Sequence, residues 1–127
     1  SSVFVPQSKL TEQELLHFWW LINFNNGKHI FHNLITYMRD RLEHRERWVN
    51  ALQKSTAPLG LINGSVDPVS GAHMVARYKE LECRLDYLAE LPLIGHYPHV
   101  EAPAEVIKHY QEYLESLLTS NAVASND

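Results

Sequence analysis

The short apolar run PLGLING, residues 58–64, restricts the fold more than any other feature of this chain. Bounded by Pro58 and Gly64 and followed by the loop VDPVSG, it fits a buried strand. The downstream sequence keeps the same rhythm. GAHMVARYKELE reads as a helix with Ala72, Val75, Ala76 and Leu81 turned inward. RLDYLAELP then alternates, with Leu85, Tyr87, Ala89 and Leu91 on one side and Arg84, Asp86 and Glu90 on the other. That pattern suits an edge strand with one wetter face. A Gly/Pro-rich loop around His96 follows, and Pro103 opens a last helix whose inner stripe is Val106, Ile107, Tyr110, Leu114 and Leu117. Strand, loop, helix, strand, loop, helix implies parallel strands joined by a crossover helix. Two parallel strands are marginal by themselves, and PLGLING is too apolar for an open edge. Either a small helical layer covers the pair or, the favoured expectation, this is an α/β chain forming the second part of a larger sheet whose other strands it does not encode.

The first half carries a different texture. Residues 1–10 read as an entry segment with a short apolar VFVP. Thr11 and Glu14 have capping-box spacing, and Leu10 and Leu15 stand where a hydrophobic staple would put them. A helix is therefore predicted over 12–24, stopped by Asn25, Asn26 and Gly27. A second is predicted over 28–42, with Ile30, Phe31, Leu34, Ile35 and Met38 on one face. A third, over 43–54, should bury Trp48, Val49 and Leu52. The chain thus divides into a helical segment at 1–56, an α/β segment at 57–119 and a flexible tail at 120–127.

Composition removes several function classes. At 45% hydrophobic and 20% charged, the 127 residues are too apolar for a disordered chain. A net charge of −4 and a pI near 6.0 argue against nucleic acid or an anionic membrane as partner. No apolar run approaches membrane-spanning length and no signal-peptide pattern opens the chain, so a cytoplasmic setting is expected. The single cysteine, Cys83, excludes an internal disulfide and lacks a basic neighbourhood, which makes it inert. His29 and His32 have a metal-ligand spacing but no third ligand completes it, so neither metal nor cofactor is expected. The arginines between Arg39 and Arg47 alternate with Asp40, Glu43 and Glu46, which reads as a salt-bridged face.

Two residues remain that can do chemistry together. Asp67 follows the first strand and His96 the second, and open α/β sheets place their sites at those strand ends. A carboxylate that accepts from imidazole Nδ1–H fixes the tautomer and leaves Nε2 as a base. Pro68 restrains the backbone after Asp67, and Gly95 and Pro98 bracket His96. His99 and Glu101 read as solvated loop residues. Alone, an Asp-Pro is a turn and a loop His is only a loop His; their order at two strand ends favours a dyad.

These residues carry a resemblance. PLGLINGSVDPVSGAHM followed by LPLIGHYPHVEAPAEV resembles the C-terminal part of an α/β-hydrolase, with its G-x-D-P-type acid loop and G-H-x-P/x-x-x-E-x-P histidine loop. YMRDRLEHRERWVNAL is similar to the late cap of the subgroup containing mesoderm-specific-transcript-type and epoxide-hydrolase-like proteins. The resemblance spans about residues 10 to 118. It implies a helical cap segment followed by the last two strands of the hydrolase core, with Asp67 as acid, His96 as base and a small apolar ester or epoxide as substrate. Tyr37 falls where those relatives aim a cap tyrosine at the substrate oxygen; the other expectation is a half-buried aromatic beside the Ile30, Leu34 and Met38 stripe. Trp19, with Phe18, Trp20 and Phe24, either lines an apolar pocket or is plain core. The departure is the nucleophile. No G-x-S-x-G and no comparable Asp-bearing elbow precedes Asp67, so an N-terminal half is the implied partner. The competing expectation is a non-catalytic, helix-rich interaction module that binds a partner chain.

Overall fold

A computed structural model describes Phe4 and residues 10–124 of the chain, with side chains described as far as Thr119. The rest of the entry segment and the last three residues of the predicted tail lie outside the described residues.

Helix α1 (Glu12–Asn23) begins as its sequence predicts. Thr11 N–H donates to Glu14 Oε2 at 2.8 Å, and Glu14 N–H donates to Thr11 Oγ1 at 3.2 Å. The stop also falls where expected, because Asn25 and Asn26 take left-handed φ values of 50° and 61°, which asparagine tolerates better than most residues.

The long second helix does not form. A 3-10 segment (Phe24–Ile30) leads into a single turn, α2 (Phe31–Leu34), and then into α3 (Tyr37–Glu43). The break lies at Thr36, whose hydroxyl donates to Asn33 O at 2.6 Å and whose N–H donates to the same carbonyl at 3.2 Å. This local bonding competes with the i→i−4 ladder. Helix α4 (Arg45–Gln53) follows, yet Trp48 and Leu52 stay exposed and only Val49 is half-buried. No residue of α1, α2, α3 or α4 is buried. The apolar stripes are present, but within the described residues nothing covers them.

The α/β half is arranged as expected. Strands β1 (Gly60–Gly64) and β2 (Tyr87–Leu91) pair in parallel, from Gly60 opposite Tyr87 to Gly64 opposite Leu91. Helix α5 (Ala72–Glu80) makes the crossover between them. At the strand starts, Leu59 O accepts from the N–H groups of Asp86 and Tyr87, and Leu59 N–H donates to Asp86 Oδ2. Arg84 grips the same carboxylate through Nε and a terminal nitrogen, both at 2.8 Å, and donates to Thr56 O. Backbone register is thus pinned by a charge-assisted fork as well as by the ladder.

Packing departs from the predicted faces in detail. The buried apolar residues among those described are Val75, Cys83, Ala89 and Leu91. On α5, Val75 is buried and Leu81, just past its end, is half-buried as predicted, while Ala72 and Ala76 face solvent and Met74 and Tyr78 take their places on the inner side. A one-turn helix, α6 (Pro98–Glu101), precedes α7 (Pro103–Ala124), so helical backbone continues into the segment read as a tail. The inner side of α7 is Val106, His109, Tyr113 and Leu117, whereas Ile107, Tyr110 and Leu114 are exposed. Gly60 fixes that rotation, since a Cβ there would come within 3.1 Å of the Tyr113 ring. His109 is tolerated inside because Tyr87 Oη lies 2.8 Å from its Nδ1 and 2.7 Å from Glu112 Oε2. That bond to Glu112, aided by desolvation, pushes the Tyr87 phenol up to about 12.

Candidate functional site

The two loops that leave the strand ends are bonded to each other before any functional side chain is considered. Ser65 N–H donates to Leu91 O at 2.9 Å and Val66 N–H to Ile94 O at 3.2 Å. Their approach requires glycine: a Cβ on Gly64 would overlap the carbonyl of Gly95. Gly71 does the same for the acid loop, where a Cβ would overlap Asp67 O. The glycines of LINGS, VSGA and IGH are therefore what lets the two loops close on one another.

Within that frame Asp67 and His96 meet. His96 Nδ1 lies 2.8 Å from Asp67 Oδ2. The Asp67 side chain is 4% exposed and that of His96 is 29% exposed, so the acid is internal and the imidazole reaches the surface. Asp67 Oδ1 also accepts from Val69 N–H at 2.8 Å, and Oδ2 from Ser70 N–H at 3.0 Å and the Ser70 hydroxyl at 2.6 Å. Burial works to raise this carboxyl, but the Ser70 hydroxyl, His96 and the two backbone donors outweigh it and hold it at about 2. A carboxylate kept ionised can only accept. The imidazole proton therefore sits on Nδ1, and Nε2 carries the free lone pair.

Two contributors were not read as such from the sequence. Ser70 was not singled out within the loop VDPVSG, yet it supplies two of the donors to Asp67. Glu101 is not solvated: its Oε2 accepts from Gly95 N–H at 3.2 Å and its Oε1 from Tyr97 N–H at 3.1 Å. The D-P-x-S spacing is an Asx-turn signal that could have flagged Ser70. His99 is exposed, as expected, with its ring edge-on to Tyr97. Tyr97 also stands edge-on to His96, at 4.8 Å between ring centroids, and Phe4 stacks on it at 5.1 Å.

The remaining candidates stand apart from the pair. Tyr37, at the start of α3, and Trp19, on α1, are both exposed, and no described hydrogen bond, ion pair or ring contact joins either to Asp67 or His96. Between Arg39 and Arg47, Arg39–Glu43 at 3.6 Å is the ion pair formed among the described residues, so that face is mostly solvated rather than salt-bridged. A groove of about 770 Å³ lies between α3, α4 and α5, floored by Met38, Leu42, Trp48 and Leu52. Neither Asp67 nor His96 lines it. Asn63 donates from Nδ2 to Ser70 O at 2.7 Å, while its buried Oδ1 has no partner among the described residues. No group of three His, Cys, Asp or Glu side chains among those residues is placed to hold a metal ion. No described helix is long and apolar enough to cross a membrane.

Known proteins offer the following comparison. The chain is 39% identical over 116 residues to a Mycobacterium tuberculosis protein named "Putative hydrolase LipZ", covering 91% of this chain and 38% of the relative. It is 30% identical over 115 residues to the mouse mesoderm-specific transcript protein and 31% identical to its human homologue, covering 90% of this chain and 34% of each. The chain thus spans little more than a third of the length of these relatives. No family model and no solved structure matches it. The relatives support a hydrolase-like relationship, and the parallel β-α-β unit is consistent with the α/β class.

Proposed function

We propose that this chain supplies the acid and the base of a nucleophile–histidine–acid hydrolase, with Asp67 as acid, His96 as base and the nucleophile coming from an N-terminal half. The observation that carries this reading is the 2.8 Å contact between His96 Nδ1 and Asp67 Oδ2 at the carboxyl ends of two parallel strands. The substrate class is a small apolar ester or epoxide, a reading supported by the likeness to hydrolase-named and mesoderm-specific transcript relatives.

The chemistry follows from which ring nitrogen is free. With a serine nucleophile, Nε2 takes the hydroxyl proton as oxygen attacks the ester carbon and returns it to the leaving alkoxide. With an aspartate nucleophile, the carboxylate opens the epoxide to a covalent ester, and Tyr37 on the cap donates the proton to the alkoxide oxygen. In either case Nε2 then deprotonates the water that hydrolyses the intermediate, and Asp67 stabilises the imidazolium. Trp19 belongs to the apolar lining of the substrate site.

The exposed apolar faces of the helical half support the same reading. Trp19, Trp20, Leu21 and Phe24 are each more than 60% exposed, and a large apolar side chain gains roughly 1.5–3 kcal/mol when buried. That surface also suits the alternative, a non-catalytic module that binds a partner chain. Asp67, bonded by four donors beneath one imidazole, is what favours the enzyme.

The test uses the chain completed by an N-terminal half with a nucleophile elbow. His96→Ala should lower turnover at least about 10³-fold, as expected for one member of a unit that acts together. With an aspartate nucleophile, intact mass should show the covalent ester accumulating in that variant. Full turnover by His96→Ala would end the proposal.

A further inference from the structure

We propose that Glu101 is a positioning residue, holding the His96 imidazole in register with whatever nucleophile it serves; this rests on the acid–base reading above. Glu101 is the last residue of α6, and the single helical turn folds its carboxylate back over the loop that precedes it. Oε2 accepts from Gly95 N–H and Oε1 from Tyr97 N–H, at 3.2 and 3.1 Å. Those N–H groups belong to the residues on either side of His96, so one carboxylate ties down both flanking residues. On the sheet side, the Gly95 carbonyl occupies the space that a Cβ on Gly64 would need. Gly95 is thereby held from above by Glu101 and from below by β1. Asp67 supplies the third anchor, at Nδ1. With the backbone fixed on both sides and one ring nitrogen fixed, the direction of Nε2 is determined.

The arrangement depends on a carboxylate. Both acceptor oxygens are used by backbone donors, and a glutamine of the same shape would turn its NH₂ toward one of them. One buried N–H would then lose its partner, and the loop would relax on that side. An aspartate keeps the charge but is one methylene short of spanning both donors. A cap that merely stabilises α6 and a residue that sets His96 are separated by readouts at the imidazole.

The experiment is Glu101→Gln in the chain completed by an N-terminal half bearing the nucleophile. Its readouts are kcat, KM, thermal melting and the NMR signals of the His96 ring. The expected result is a kcat lower by roughly 10–100-fold with KM within about twofold, because displacing a reacting group by about 1 Å has that scale of effect. The Nδ1–H resonance of His96 should shift or broaden in the same variant. A folded Glu101→Gln protein with unchanged kcat and unchanged ring signals overturns the proposal, even if its melting temperature falls. Should the glutamine variant fail to melt cooperatively, Glu101→Asp is judged by the same two readouts. If the completed wild-type chain turns over no ester or epoxide, the acid–base reading fails, and the ring signals alone decide. Displaced signals in the variant uphold Glu101 as the residue that sets His96; unmoved ones overturn it.

Discussion

The two halves of the chain solve opposite problems. Residues 60–101 hold a small set of groups in fixed geometry: parallel strands in register, two loops in glycine-limited contact, and Asp67 saturated with donors. Residues 12–53 are well specified locally, with a capping box and helical spacing, but bury none of their helical residues. Burial is what usually stabilises an amphipathic helix, since propensity alone leaves helices of about 12 residues marginal. The difference teaches that preorganisation and stability are distributed separately here. The site half carries its geometry with it, and the helical half leaves its apolar faces exposed. In the site half, Asn63 Oδ1 is buried with no donor among the described residues.

The strongest way to break this contrast is at the loop contact. Gly64→Ala should lower the melting temperature by an amount corresponding to about 3 kcal/mol or more, because the Gly95 carbonyl is backbone and cannot step aside cheaply. A tolerated alanine would mean that the loops are less tightly joined than described.

A smaller effect comes from acid. Asp67 is held at about 2, below its usual 3.8, so it contributes stability that is fully present above about pH 3.8. That contribution, about 2 kcal/mol, is lost as pH falls through 2. Asp67→Asn should flatten the acid limb of the stability curve between those values, as followed by denaturant melts at each pH. An unchanged limb would show that Asp67 is not the group responsible.

On the helical side the effects should be smaller still. Thr11→Ala removes the cap of α1 and should cost about 1 kcal/mol, visible as lost helical circular dichroism. Trp20→Ser should change the stability of the chain alone by less than about 0.5 kcal/mol, because the residue is 72% exposed. In the chain completed by an N-terminal half, the same substitution should cost several times more. Equal costs in both would mean that nothing covers α1.

Much of this was legible in the sequence, for physical reasons that differ by element. The parallel unit was readable because Pro58, Gly64 and the alternation from Leu85 to Leu91 each restrict the backbone locally. The capping box was readable for the same reason. The breaks around Thr36 were not, because a side chain returning to Asn33 O competes on nearly equal terms with the helix. The inner faces of α5 and α7 were each misread in part, Val75 and Leu81 and Val106 and Leu117 being right, since rotation about a helix axis is set by a close contact elsewhere, such as Gly60 against Tyr113. The contact between Asp67 and His96 was legible from their places after two strands. Ser70 was not, although its D-P-x-S spacing is a turn signal, because its hydroxyl meets Asp67 only once the turn is closed; Glu101 was not, because it acts on backbone N–H groups that carry no sequence signal.

The most direct measurement is hydrolysis of a panel of small apolar esters and epoxides by the 127-residue chain, alone and completed by an N-terminal half that carries a nucleophile. Asp67 and His96 can move protons but form no covalent intermediate, so the chain alone should show no turnover above buffer. The completed protein should turn over, and His96→Ala should remove that activity at least about 10³-fold. Clear hydrolysis by the chain alone, unaffected by His96→Ala, would contradict both the paired acid and base and the need for a second half.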